Sequence, residues 1–477
     1  MQLGTQRPDA DRVFRFFSEI SAIPRASGVT APIADYLCDF ARARGLFFLR
    51  DESDNLIIKK AASKGFEGRG AVILQAHTDM VLVQSDPTLK RAPDEGVKLC
   101  RRGDLLCADG TSLGGDDGIG MAYILAVLDD DTLTHPPIEG VFTSNEEIGL
   151  LGAAALDCSA LSGRMLINLD SDTEGVFTAG CAGGSTLTLT LPFKARTSLR
   201  CFKLSLKDLP GGHSGVEITK GYANAILLLL SLLDALSEKA EVRLASLEGG
   251  EASNAIPSFA SVKVSCSLDF AKISEFCKYF LAHQRLNIGN CAFSLEECGE
   301  TNCLGVEESR QFIREVLDLP SGVLGVEPRL QTMPRTSLNL GRIVTDGETA
   351  TLIFSLRSSS DKERRALEEQ LTRTAEALRG SALVEGEYPA WEYRESSPLR
   401  ELCLAAYRKG YGKEAVVEVT HAGLECGILA AKLAGLDAVS LGPTNRDIHT
   451  PLEALSITSS VRTYYLLTEV LSGLTAL

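Results

Sequence analysis

The chain has 477 residues, 44% hydrophobic and 23% charged, an ordinary soluble balance in a chain too long for one core. Lys and Arg number 48 against 63 Asp and Glu, a net charge of −15, which leaves no basic footprint for nucleic acid. The N-terminus lacks an apolar signal-type core, and the most apolar run, AILLLLSLLDAL from Ala225, is too short for a bilayer and carries Asp234. With 13 scattered cysteines and no CxxC pair, the composition reads as a cytoplasmic protein with reduced thiols and no membrane association.

In chain order, residues 11–23 and 31–45 have the apolar spacing of amphipathic helices. Strand-like runs follow at 55–60, 71–77, 138–145 and 165–170, with a helix at 118–130 between the second and third. The 71–77 and 138–145 runs are nearly continuous in apolar residues, as in a buried, largely parallel sheet. From about Ser185 the pattern changes. STLTLTLPF alternates, as a half-exposed strand does, and is followed by strands near 202–209, 241–247 and 258–268 and helices near 220–238 and 270–284. Helix–strand alternation returns after Gly386, with a helix from Pro398, strands at 415–421 and 437–443, a helix at 424–435 and a last helix from Ser456. The expected fold class is α/β: one domain built from 1–185 and 387–477, interrupted by an α+β domain over 186–386. Residues 252–270 and 335–360 echo each other, each with Ser and Asn in a turn, then a strand ending in Ser-Leu, then a helix. The echo suggests that the insert is duplicated.

Chemistry-bearing residues collect at strand ends. His77 closes one strand and, at i+2, Asp79 can reach it; such a carboxylate orients an imidazole toward a metal. SNEEIG supplies Glu146 and Glu147, NLDSD supplies Asp170 and Asp172, SLGGDDGIG supplies Asp116 and Asp117, and His449 follows the strand at 437–443. Sites in α/β sheets gather at the carboxyl ends of strands. So many acids on one buried rim require cations. The glycine-rich loop lacks the Lys-Ser/Thr of a P-loop, and there is no EF-hand spacing. Mixed His and carboxylate donors suit zinc or its first-row neighbours.

The segments LQAHTD, LGGDDGIGMA, SNEEIGLLGA, INLDSDTEG, GCAGG, GGHSG, HAGLECG and GPTNRDIHTPLE closely resemble, in order and over nearly the whole chain, the di-zinc exopeptidases that include carnosinases, aminoacylases and carboxypeptidase G. GCAGG (180–184) and HAGLECG (421–427) resemble the aminoacyl-histidine dipeptidase (Xaa-His dipeptidase, cytosolic non-specific dipeptidase) branch of that family. The resemblance implies a catalytic domain with an inserted lid, two Zn²⁺ per chain (Mn²⁺ or Co²⁺ as alternatives), and hydrolysis of dipeptides, broadly of Xaa-His type, by a metal-activated water. It implies His77 and Asp170 on one metal, Glu147 and His449 on the other, Asp116 bridging both, and a cis peptide bond between Asp116 and Asp117. Two Zn²⁺ against these three carboxylates leave one positive charge, which one further anion neutralises. The glycines beside Asp116 are expected to let the backbone approach the metals.

By the same resemblance Glu146 is the general base and Asp79 orients His77. His213 stabilises the oxyanion, and Arg357 pairs with the substrate carboxylate. Asn254 and Asn339, in the repeated turns, are candidate substrate contacts, and His421 and Glu425 are candidate pocket residues beside a helix start. His135 and His283 read as structural. The chain departs from the branch at Asp117, where Asn is usual, and at Leu452, where an acid or Asn is common. The expected partner is a small peptide, with no nucleic acid and no membrane. The protein is expected as a monomer or homodimer, the duplicated lid letting His213 serve its own chain. Two alternatives stay open: an N-acyl amino acid amidohydrolase of the same superfamily, and a non-enzymatic binding protein on the same scaffold.

Overall fold

The computed structural model describes residues 9–85, 95–327 and 333–474, and they form two compact units. The first comprises the described residues up to Cys181, Trp391–Val419, and those from Leu424 on; the second comprises Ala182–Ala390 and Thr420–Gly423. The divisions fall at 181/182 and 390/391, four residues outside the expected limits of 185 and 386. One segment is reassigned: Thr420–Gly423, expected in the first domain, belongs to the second unit and carries His421 with it.

The first unit is built on an eight-stranded sheet in the order Phe47–Arg50, Leu56–Lys60, Ile138–Thr143, Val72–His77, Met165–Asn168, Asp437–Ser440, Val176–Cys181, Val416–Thr420. The four central strands, Ile138–Thr143 to Asp437–Ser440, run parallel. Val72–His77 and Ile138–Thr143 are buried along their whole length, which explains their unbroken apolar sequence. Their side chains alternate between two cores. Val72, Leu74 and Ala76 pack with the helices Asp11–Ser21, Ala31–Ala43, Gly115–Asp129, Pro398–Tyr411 and Ile457–Gly473; Ile73 packs with Cys426 and Leu429 of Glu425–Lys432. Because the central strands are parallel, the residues that follow them emerge along one edge of the sheet. His77, Glu146, Glu147, Asp170 and His449 all follow or end these strands.

A four-stranded sheet, in the order Asn445–Arg446, Ala454–Ser456, Leu105–Ala108, Leu99–Arg102, backs the hairpin that carries His449. Sequence periodicity did not mark the two short strands at 99–108.

The second unit holds a nine-stranded sheet in which every recorded pairing is antiparallel. It consists of two halves with the same order of elements. One half runs strand Thr197–Lys207, helix Ala225–Ser237, strands Val242–Gly249 and Ala260–Cys266, helix Phe270–Ala282, strand Ala292–Cys303. The other runs strand Gly183–Pro192, helix Val306–Leu317, strands Pro334–Thr345 and Thr349–Ser358, helix Asp361–Ala377, strand Ser381–Tyr388, with the first half inserted after its first strand and with one additional strand, Gly322–Val326, paired to Pro334–Thr345 as the ninth. The halves meet through their second strands, where Glu248 faces Val344 and Gly249 faces Ile343. The echoed segments occupy equivalent places, with one correction. Asn254 lies in a turn, but Asn339 lies inside the strand Pro334–Thr345, buried, with its amide donating to Ser253 O at 3.1 Å and Ala255 O at 2.8 Å.

Candidate metal centre and substrate-binding residues

Two sets of three potential ligands share one carboxylate. His77, Asp116 and Asp170 form one set, and Asp116, Glu147 and His449 the other. Asp116 Oδ1 lies 2.9 Å from His77 Nε2, while its Oδ2 lies 3.2 Å from His449 Nε2. His77 Nε2 is 3.7 Å from Asp170 Oδ1, and His449 Nε2 is 2.9 Å from Glu147 Oε1. Glu146 also comes within ligand distance of His77 and Glu147. Asp172 stays outside both sets and accepts from Thr173 Oγ1 in a surface turn. The peptide bond Asp116–Asp117 is cis. Backbone angles at Asp116 and Asp117 are non-helical, so regular helix begins at Gly118.

The Asp116 loop is held by a residue that motif reading did not single out. Glu453, 3% exposed, accepts hydrogen bonds from the amides of Leu113 (2.7 Å), Gly114 (2.8 Å), Gly115 (2.9 Å) and Asp116 (3.3 Å), and from Asn445 Nδ2 (3.0 Å). Leu452 beside it is 73% exposed, so support from this segment passes through Glu453 and not through position 452. Arg25 is a second omission. Its guanidinium is buried and donates to Thr78 O, Asp79 O and Gly114 O, joining the His77 strand end to the Asp116 loop.

These two residues revise the reason for the glycines. A Cβ on Gly114 or Gly118 would stand 2.5 or 2.6 Å from Arg25 Nη2, and one on Gly115 would stand 2.9 Å from Asn445 Nδ2 and 3.2 Å from Glu453 Oε1. The glycines admit Arg25, Asn445 and Glu453, and Gly114 also takes a φ of +67°. Charge arithmetic around Asp116 and Asp117 could have signalled the need for Arg25, but nothing local to IPRASG marks it.

Asp79 differs in detail from the expectation. His77 Nδ1 lies 3.1 Å from the Asp79 carbonyl oxygen and 3.6 Å from Oδ1. The carboxylate is engaged elsewhere: Oδ1 accepts from Glu146 N at 2.9 Å, and Oδ2 accepts from Ser27 Oγ at 2.7 Å and Glu147 N at 3.3 Å. Asp79 therefore fixes the Glu146–Glu147 turn with its side chain and His77 with its backbone. The extended i, i+2 geometry brought the residues together, but the turn amides compete for the carboxylate.

Burial and mutual repulsion push several of the rim acids up, whereas Asp116, despite its burial, is held below the carboxylate range by hydrogen bonds to His449 and His77. Burial and then the Asp116 charge raise Asp170 to about 7. Burial, with Asp170, Glu425 and Glu147 adding, lifts Glu146 well above the carboxylate range; burial and then Asp170 do the same to Asp117. Hydrogen bonds to Asp116 and Glu147 raise His449 to about 10. Such a set fits divalent cations, which would displace those protons and reverse the shifts. Below the rim, Glu425 is fully buried, and its Oε2 accepts from Gln75 Nε2 (2.5 Å) and Thr143 Oγ1 (2.6 Å).

The second unit assembles the other sequence candidates. Gly212 and His213 pair with Ile256 and Ala255, and Ser214 N donates to Asn254 O at 2.8 Å. The turn that Asn339 clamps is thus the one with which the His213 strand pairs. Arg357 Nη2 lies 3.4 Å from His213 Nε2, and Arg357 Nη1 donates to the Tyr388 hydroxyl at 3.0 Å. His421 Nε2 lies 2.7 Å from Ser337 Oγ. His135 is buried with Nδ1 2.7 Å from Pro136 O, and His283 packs on Tyr279 at 4.2 Å between ring centroids.

The sequence profile of peptidase family M20/M25/M40 matches residues 73–473. The chain belongs to this family. It is 34% identical over 472 residues to the cytosol non-specific dipeptidase of Escherichia coli, covering 96% of this chain and 97% of that one. The crystal structure of aminoacylhistidine dipeptidase from Vibrio alginolyticus superposes with a TM-score of 0.87 at 32% identity, over 97% of this chain and 96% of that one. Aminopeptidase PepT from Bacillus cereus shares the fold, with a TM-score of 0.58 at 18% identity over 98% and 99% of the two chains. Among the described residues no helix is long and apolar enough to cross a membrane, and none of the thirteen cysteines is in a disulfide.

Two measurements test this M20 architecture. Glu453→Gln removes a buried charge that five donors address, and is expected to lower the unfolding free energy by about 3 kcal/mol; Leu452→Asp next door should change it by less than about 0.5 kcal/mol. Equal denaturation midpoints for the two variants would refute the role of Glu453. His421 is held at about 4 by burial and then by the Arg357 charge, below its ordinary 6.5. Between those values the unfolded chain takes a proton that the folded chain refuses, so stability falls as pH falls from 6.5 to 4. The difference amounts to about 3 kcal/mol. His421→Gln should lose this part of the slope in pH-dependent melting, and parallel curves for variant and wild type would contradict the assignment.

Proposed function

We propose that the chain is a metal-dependent dipeptidase that hydrolyses dipeptides, Xaa-His among them, in the cytoplasm. The observation that carries the metal assignment is Asp116: one oxygen faces His77 and the other faces His449. A carboxylate so placed suits a bridge between two cations, one completed by His77 and Asp170 and the other by Glu147 and His449. Zn²⁺ is our assignment, with Mn²⁺ or Co²⁺ as alternatives. When bound, such a pair would supply Lewis acidity toward a peptide carbonyl and lower the pKa of bound water.

Glu146 then takes the proton of the attacking water and returns it to the leaving amine. Its turn is fixed by Asp79, so its carboxylate is aimed by backbone hydrogen bonds. We assign His213 to the carbonyl oxygen of the scissile bond and Arg357 to the substrate carboxylate. Asn254 and Asn339 act by holding His213, and His421 through Ser337. Glu425 closes the floor under His77. The similarity to two dipeptidases over nearly the whole chain supports this reading over N-acyl amino acid hydrolysis, and a full ligand and base set argues against a purely binding role. Hydrolysis of Ala-His and carnosine by the metal-loaded protein, against N-acetyl amino acids, separates the alternatives.

Asp116→Ala is expected to lose both metals, while His449→Ala loses mainly one. Two metals per chain retained in Asp116→Ala, by inductively coupled plasma mass spectrometry, would sink the bridge. Glu146→Gln should keep both metals and the fold while kcat falls by about 10²–10⁴-fold. Near-normal turnover would remove Glu146 as the base, and loss of a metal would make it a ligand.

A further inference from the structure

Backbone pairing in the second unit aligns one row of residues across four strands. Ser337 faces Arg357, Arg357 faces Gly184, and Gly184 faces Tyr388. Directly opposed residues of an antiparallel sheet share a face. Gly184 leaves a gap in that row, and the Tyr388 side chain crosses it to reach Arg357. A Cβ on Gly184 would stand 2.5 Å from the Tyr388 hydroxyl oxygen and 2.7 Å from Cζ. From the other side, a Cβ on Gly423 would stand 2.6 Å from Tyr388 Cε2. The phenol therefore lies in a slot that only glycine at both positions leaves open. One of these glycines comes from GCAGG and the other from HAGLECG, the two motifs that resemble the aminoacyl-histidine dipeptidase branch.

Arg357 is 7% exposed, yet among the described residues no carboxylate pairs with it and its Nε has no hydrogen-bond partner. Its recorded neighbours are a phenol and an imidazole. A buried guanidinium without a counter-ion is costly unless an anion completes it. The Tyr388 hydroxyl accepts one of its five N–H groups, which fixes the plane of the fork and leaves donors for a carboxylate.

We propose that Tyr388 is a positioning residue that aims Arg357 at the terminal carboxylate of the peptide substrate, and that Gly184 and Gly423 serve to admit its ring. The proposal rests on the dipeptidase reading above and adds a determinant of preference for a free carboxyl terminus.

Tyr388→Phe keeps the ring in its slot and removes only the hydroxyl. Its kinetics on Ala-His and on Ala-His carrying a carboxamide terminus separate positioning from general structure. The wild type should prefer the acid. In Tyr388→Phe that preference should fall about tenfold, mainly through a higher KM for the acid, in keeping with one hydrogen bond to a charged group. Gly184→Ala, which puts a methyl group where the hydroxyl sits, should reproduce the effect. Where amide turnover is too slow to follow, its inhibition constant against Ala-His replaces KM. An unchanged preference in Tyr388→Phe, or an equal loss on acid and amide, would overturn the proposal. A wild type that hydrolyses both equally would remove Arg357 from the carboxylate and the proposal with it, leaving the dipeptidase reading intact. Hydrolysis of neither would overturn both.

Discussion

Like charges crowded at one buried edge are the constraint on which the first unit depends. Parallel strands all end on the same side, and in this chain those ends carry acids. Folding brings Asp79, Asp116, Asp117, Glu146, Glu147, Asp170 and Glu453 into the rim and its support. The protein disposes of five of them in two ways. Glu453 and Asp79 accept backbone amides, Glu453 from the loop at 113–116 and Asp79 from Glu146 and Glu147. Asp116, Asp170 and Glu147 keep oxygens directed at each other's histidines, and that leftover negative charge is what a pair of cations would neutralise.

Arg25 makes this arrangement durable. It is a fixed, buried cation hydrogen-bonded to the backbone on both sides of the rim, at Thr78 and Asp79 and at Gly114. A guanidinium can satisfy several carbonyls at once in a plane, which an ammonium cannot. The glycine run is shaped around it, since Gly114 and Gly118 leave the space its head group fills. The run therefore serves the support of the ligands as much as any close approach to an ion.

The second unit carries the opposite chemistry. Its two halves repeat one order of strands and helices and join at their second strands, so a single sheet runs through both. On that sheet the conspicuous buried group is a cation, Arg357, with His213, Tyr388 and the Ser337–His421 pair around it. Acids that suit cations lie in one unit and an arginine that suits an anion lies in the other.

Much of this was legible in the chain itself. Unbroken apolar runs marked the parallel strands, because burial on both faces leaves no room for polar residues. Alternation marked the antiparallel insert, because one face of that sheet is less buried than the other. Acids and histidines placed just after strand ends marked the rim, because strand direction alone decides where those ends lie. What the sequence could not supply were partners chosen by distance in space. Glu453 reads as the last letter of a motif, Arg25 as one arginine among many, and Tyr388 as the end of an edge strand. Asn339 reads as a turn residue although it lies within a strand. Thr420–Gly423 reads as part of the first domain although it packs with the second. Local pattern follows from the periodicity of the backbone and is written in neighbouring residues. Which amide a buried carboxylate accepts, and which side chain a glycine makes room for, depends on segments hundreds of residues apart, and only the folded chain decides it.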